Sequence, residues 1–144
     1  MKRAILALAA SLPLAALPAL APAGETPAPE GAKVYFITPA DGATVKSPFV
    51  VRFGLAGMGV APAGVEKANT GHHHLIIDAD APTGEDLDYS LPADEHFRHF
   101  GGGQTETTIE LPPGRHTLQL LLGDQNHIPH NPPVLSEKIV VTVE

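Results

Sequence analysis

From Phe49 to Leu55 the chain alternates. Phe49, Val51, Phe53 and Leu55 are apolar, while Arg52 and Gly54 separate them and only Val50 breaks the pattern. A period of two marks a half-buried strand, because successive side chains point to opposite faces. The β-rich run from Lys33 to Thr38 closes at Pro39 and the turn Asp41-Gly42. Further strands are predicted over residues 72–78, 105–111, 116–122 and 137–143, the last carrying Ile139, Val141 and Val143 on one face. Residues 56–70 are rich in Gly and Pro and read as a long loop. No segment keeps a helical period over three turns. Short strands divided by Gly/Pro turns predict an all-β fold, an immunoglobulin-like antiparallel β-sandwich, as a single domain over residues 33–144.

One corner sharpens this. In immunoglobulin-like sandwiches an aromatic near the start of the penultimate strand hydrogen-bonds back to the chain just upstream. Leu111-Pro112-Pro113-Gly114-Arg115-His116-Thr117-Leu118 resembles that corner, with His116 in the tyrosine's place. His116 shares a face with Leu118, Leu120 and Leu122, so its expected role is structural.

The N-terminus adds a compartment. Met1-Lys2-Arg3 is followed by an apolar stretch over residues 4–20 and by Ala21-Pro22-Ala23. A basic head, an apolar middle and an Ala-x-Ala end make residues 1–23 a secretory signal peptide. Pro13 and Pro18 interrupt the run, which argues against a membrane span, so none is expected after cleavage near Ala23-Gly24. The mature protein would be periplasmic or secreted, with residues 24–32 a Pro-rich linker. Losing Lys2 and Arg3 leaves 7 basic against 16 acidic residues, a net charge of −9. That balance repels phosphate backbones and excludes nucleic acid as an expected partner. The chain has no cysteine, so no disulfide and no thiolate ligand, and Met58 is the one methionine past the signal. A Cys- or Met-type copper(I) site is therefore ruled out.

All 8 histidines fall between His72 and His130. On a strand, His72 and His74 project in parallel from one face, roughly 7 Å apart at Cα, a spacing from which two imidazoles can converge on one ion. His73 would lie on the opposite face, at the core edge. His127 and His130 sit in a loop braced by Pro129, Pro132 and Pro133, and His96 and His99 precede Gly101-Gly102-Gly103. The candidate metal ligands are His72, His74, His99, His127 and His130. Asp78 and Asp124, ending strands beside these clusters, are candidates as ligands or as acceptors that orient an imidazole. A nitrogen-rich, thiolate-free set suits copper(II), with zinc(II) as the alternative.

Gly71-His72-His73-His74-Leu75-Ile76-Ile77-Asp78, His99-Phe100-Gly101-Gly102-Gly103-Gln104-Thr105-Glu106 and Leu111-Pro112-Pro113-Gly114-Arg115-His116-Thr117-Leu118-Gln119-Leu120, with Gly123-Asp124 after it, carry a resemblance. Over about residues 33–144 the chain is similar to the exported bacterial domain-of-unknown-function family 4399. The resemblance implies a single exported β domain and no settled activity.

Three functions compete on these residues. The first is periplasmic storage, delivery or buffering of Cu(II) or Zn(II) without turnover, with another periplasmic protein as a partner. The second is a non-catalytic structural or interaction module of the cell envelope, its histidines building hydrogen bonds. The third is a small metalloenzyme. His72-x-His74 with Asp78, and Pro113-Gly114-Arg115-His116, distantly resemble the cupin motifs, but Asp stands where Glu is usual and the second motif is a residue short. Ser47, Ser90 and Ser136 have no elbow-like context, so no catalytic residue is expected.

Overall fold

Nine strands and one short 3-10 turn make up residues 26–144, the part of the chain that the computed structural model describes. The expected signal peptide lies outside the described residues. The strands are β1 (Lys33–Thr38), β2 (Thr44–Val45), β3 (Phe49–Ala56), β4 (Gly59–Val60), β5 (Thr70–Ile77), β6 (Phe97–His99), β7 (Glu106–Ile109), β8 (Gly114–Gly123) and β9 (Ile139–Val143). The 3-10 turn covers Gly84–Asp88. Among the described residues no helix is long and apolar enough to cross a membrane.

The strands form two sheets. One holds β1-β3-β7; the other runs β2-β9-β8-β5-β4, with β6 also paired to β5. The all-β sandwich predicted from the alternation is what forms, and its long pairings (β1 with β3, β3 with β7, β5 with β8, β8 with β9) are antiparallel. Two short pairings are parallel instead: β2 with β9, and β4 with β5. The expected loop over residues 56–70 therefore contains an edge strand, which a composition of Gly and Pro conceals.

Val51, Phe53, Leu75, Ile77, Leu118, Leu120, Leu122 and Val141 fill the space between the sheets. Their alternation is the period-two signal expressed as packing. Strand β5 departs from it, because every residue from Gly71 to Ile77 is buried. Its inner side chains, His73, Leu75 and Ile77, face the sandwich core, and the His73 ring packs 5.1 Å from that of Phe53. On the outer face, Ile76 joins Leu91 and Leu121 in a second apolar cluster, against which Ala79, Ala81 and Phe97 pack. The segment between β5 and β6 thus covers the outer face of β5, and this strand is enclosed on both sides.

The residues read as a linker are docked in part. Thr26 accepts a hydrogen bond from the Asn131 amide at 2.9 Å, and the Ala28 amide donates to Asn131 at 3.0 Å.

The corner before β8 works as its resemblance implied. His116 Nε2 lies 2.8 Å from the carbonyl of Pro112, four residues upstream, and Nδ1 lies 2.6 Å from Asp78 Oδ2. Asp78 Oδ1 also accepts from the Thr117 amide at 2.8 Å. The Asp78 carboxylate raises the His116 pKa above the ordinary histidine value, against the opposing effect of burial. A raised folded-state pKa means that the stabilisation is fully present below about pH 6.5 and is lost as pH rises through the folded value. His116→Ala should cost about 1–3 kcal/mol of stability, with a larger deficit at pH 6 than at pH 9, and should leave metal affinity unchanged. Urea denaturation at the two pH values, paired with metal titration, checks both.

Candidate metal centre

His72 and His74 leave the outer face of β5, fixed there by the pairing of His72 with Gly123 and His74 with Leu121 on β8. Their rings lean together to a centroid separation of 4.7 Å. Both are buried, 0% and 1% exposed. His127 reaches them from the loop after β8. Its Nδ1 shares a hydrogen bond with His72 Nε2 at 3.0 Å. His72, His74 and His127 each offer one nitrogen, and these nitrogens all lie within 4.8 Å of one another.

The loop that delivers His127 is built on Asp124. This carboxylate, 2% exposed, accepts from the amides of Asn126 and Ile128 through Oδ1 and from the Thr26 hydroxyl through Oδ2. Further hydrogen bonds join the Asp124 amide to the Ile128 carbonyl and the His127 amide to the Asp124 carbonyl. Held this way, His127 takes a φ of +65°, the left-handed region that a side chain seldom enters. Such a conformation costs on the order of 1 kcal/mol and persists only where surrounding bonds enforce it.

The pairing of polar atoms is unusual. His72 Nδ1 and both nitrogens of His74 are buried without any hydrogen-bond partner. Each unpaired buried polar atom costs about 1–3 kcal/mol. Two nitrogens bound to one ion at about 2.0–2.1 Å sit roughly 2.9 Å apart at a right angle and roughly 3.3 Å apart at the tetrahedral angle. The 3.0 Å between His72 Nε2 and His127 Nδ1 falls between those values.

Burial, and then the neighbouring imidazoles, hold these groups neutral. Burial and the proximity of His127 and His99 push the His72 pKa down from 6.5 to about 4, while Asp124 opposes the shift. His74 is pushed down to about 3 by burial, with His72, His99 and His127 adding to it. Burial lowers His99 as well, helped by His127. Neutral imidazole is the form that binds metal.

The other candidates stand elsewhere. His130 is buried, but its Nδ1 faces the Leu122 carbonyl at 3.4 Å and its Nε2 the Thr70 carbonyl at 3.1 Å. Those contacts tie the loop to β5 and β8, so His130 is a brace and not one of the converging ligands. Asp78 lies roughly 13 Å along β5 from His74 by the strand rise and is committed to His116 and Thr117. Asp124 points its oxygens at backbone amides and Thr26, so it shapes the loop and offers no ligand atom to the group. His99 comes close without joining: its ring is 4.2 Å from that of His127, yet its nitrogens fall outside the converging set. His73, on the opposite face, has both nitrogens buried and unpaired, and nothing in the structure accounts for this.

Gly123 completes the site in a way the sequence did not announce. A Cβ at this position would stand 2.5 Å from His74 Cε1 and 3.0 Å from its Nδ1. The imidazole therefore rests directly on the β8 backbone, and only glycine leaves it room.

A family model described as a domain of unknown function, DUF4399, matches residues 51–144. The chain belongs to the DUF4399 family. The matched span runs from β3 to the end of β9 and includes every histidine of the group. No curated protein matches the chain. Among solved structures, this DUF4399 protein is similar to the endo-beta-1,4-mannanase from Thermotoga petrophila, at 17% identity and a TM-score of 0.47. That likeness covers 80% of this chain, which spans only 20% of the length of the mannanase chain.

Two outcomes follow from this geometry. Gly123→Ala should displace His74 and weaken metal binding by roughly 10–100-fold, as loss of a supporting neighbour does at metal sites; titration calorimetry checks it. The metal-free protein should lose stability on acidification. Its depressed histidine pKa values mean that stability is complete above about pH 6.5 and falls as pH drops towards 4, by at most about 1.4 kcal/mol per pH unit for each histidine. Urea melts between pH 7.5 and 4.5 measure that slope.

Proposed function

We propose that this protein is an exported, periplasmic metal binder that holds Cu(II) or Zn(II) through His72, His74 and His127, in storage, delivery or buffering without chemical turnover. The observation that carries this reading is the meeting of three imidazoles, two of them buried, each with a nitrogen within 4.8 Å of the others, beside the unpaired His72 Nδ1 and both unpaired nitrogens of His74. Each unpaired buried nitrogen is costly, and an ion held among these imidazoles would offset that cost by accepting their lone pairs. The strained φ at His127 supports the same reading, since the loop spends backbone energy to bring one more nitrogen to that group. Copper ranks first by the first-row affinity order, and the absence of thiolate favours the divalent ion. Export rests on the charged head, apolar run and Ala-x-Ala end of residues 1–23. A second periplasmic protein is the natural source or recipient of the metal.

His116 and His130 favour the structural-module reading in their own places, because each is spent on backbone or carboxylate contacts. The group at His72, His74 and His127 has no such contacts to account for it.

The test is metal content of the untagged mature protein by mass spectrometry, followed by Cu(II) and Zn(II) titration. One ion per chain is expected, with a melting temperature raised by on the order of 10 °C when free metal exceeds Kd about a thousandfold. His72→Ala/His74→Ala should abolish both effects. A wild-type protein that binds neither ion below micromolar concentration would return the histidines to a structural role.

A further inference from the structure

His99 stands opposite His74 in the β5–β6 register, so both rings rise from the same face. Its ring stacks on that of His74 at 5.3 Å and 11°, lies 5.4 Å from that of His72, and meets His127 nearly edge-on at 4.2 Å. An imidazole this close to three converging ligands would ordinarily be counted with them. It contributes no nitrogen to that group. The Nε2 atom rests over Gly101, where a Cβ would stand only 2.5 Å from it.

The supports of the four rings also differ. His72 and His74 sit on a strand enclosed on both faces, and His127 on a loop pinned by Asp124. His99 belongs to a strand of three residues that pairs on one side only, and its side chain is exposed. Three imidazoles are held in place from within, then, and the fourth stands at the solvent side with its Nε2 resting over a glycine. A divalent ion held by three imidazoles keeps a further coordination position for a fourth donor.

We propose, building on the metal-binding reading, that His99 is an exchangeable fourth ligand: it alternates between the ion and its resting place over Gly101, and when it leaves, a small monodentate donor (water, free imidazole or an anion) takes its position. The site then loads and releases metal by ligand substitution on the His99 side while the other three imidazoles stay fixed. Small donors of this class and His99 compete for one position. No bond other than the metal–ligand bond forms or breaks, and the oxidation state of the ion does not change.

Two measurements on the copper(II)-loaded mature protein test this: azide titration followed by its charge-transfer absorption, and the rate of copper transfer to EDTA. His99→Ala and the bulkier His99→Gln should bind azide about tenfold more tightly and release copper about tenfold faster than wild type, at unchanged stoichiometry. Free imidazole should slow release from His99→Ala again. Gly101→Ala fills the resting place and should shift both quantities the other way, with weaker azide binding and slower release. A purely structural role for His99 would move neither azide affinity nor imidazole rescue. If both His99 variants take up azide and release copper as wild type does, the proposal is overturned. If wild type takes up no Cu(II) or Zn(II) at all, the metal reading itself falls, and the exchange role with it.

Discussion

The enclosure of β5 on both faces governs this molecule. A strand in a two-layer sandwich usually shows one face to the core and the other to water, and polar side chains on the wet face cost little. Here the segment from Ala79 to Phe97 and the loop after β8 close over the outer face, so that His72 and His74 lose water, His72 keeping one hydrogen bond, to His127, and His74 none. The enclosure makes their unpaired nitrogens costly to leave bare and keeps the rings neutral. The same strand sends His73 inward among Phe53 and Leu122's neighbours, which shows that alternation alone separates the two environments.

Around that strand the chain uses histidine in three different ways. His116 is a corner pin, bonded to Pro112 and Asp78. His130 is a brace between carbonyls of β5 and β8. At His72, His74 and His127 three imidazoles each bring one nitrogen within 4.8 Å of the others. Local hydrogen bonding distinguishes these uses, and sequence proximity does not: His127 and His130 are neighbours in one loop, but His127 lies in the turn pinned by Asp124 while His130 faces the carbonyls of Leu122 and Thr70.

Much of the fold was legible, since an apolar period of two and Gly/Pro turns are local signals. The penultimate-strand corner could be read for the same reason. The His-x-His geometry of His72 and His74 followed from strand alternation alone. What lay beyond reach was set by long-range contacts. Strand β6 is too short to carry a period, so nothing in Phe97-Arg98-His99 told that His99 would stand beside His74. The roles of Asp78 and Asp124 depend on which amides and rings their carboxylates meet, and carboxylates ending strands look alike in sequence. Gly123 reads as a turn residue until a ring is found lying on it.

Thr26 gives the site a mechanical address. Its hydroxyl bonds to Asp124, its carbonyl takes the Asn131 amide, and Pro27 forms a bridge to Asn131. The chain ahead of β1 is therefore stitched to the very loop that aims His127. A pull on that leading segment reaches the loop that carries His127 before it reaches the first strand of the sandwich, so the placement of the leading chain and the aim of that imidazole are mechanically linked.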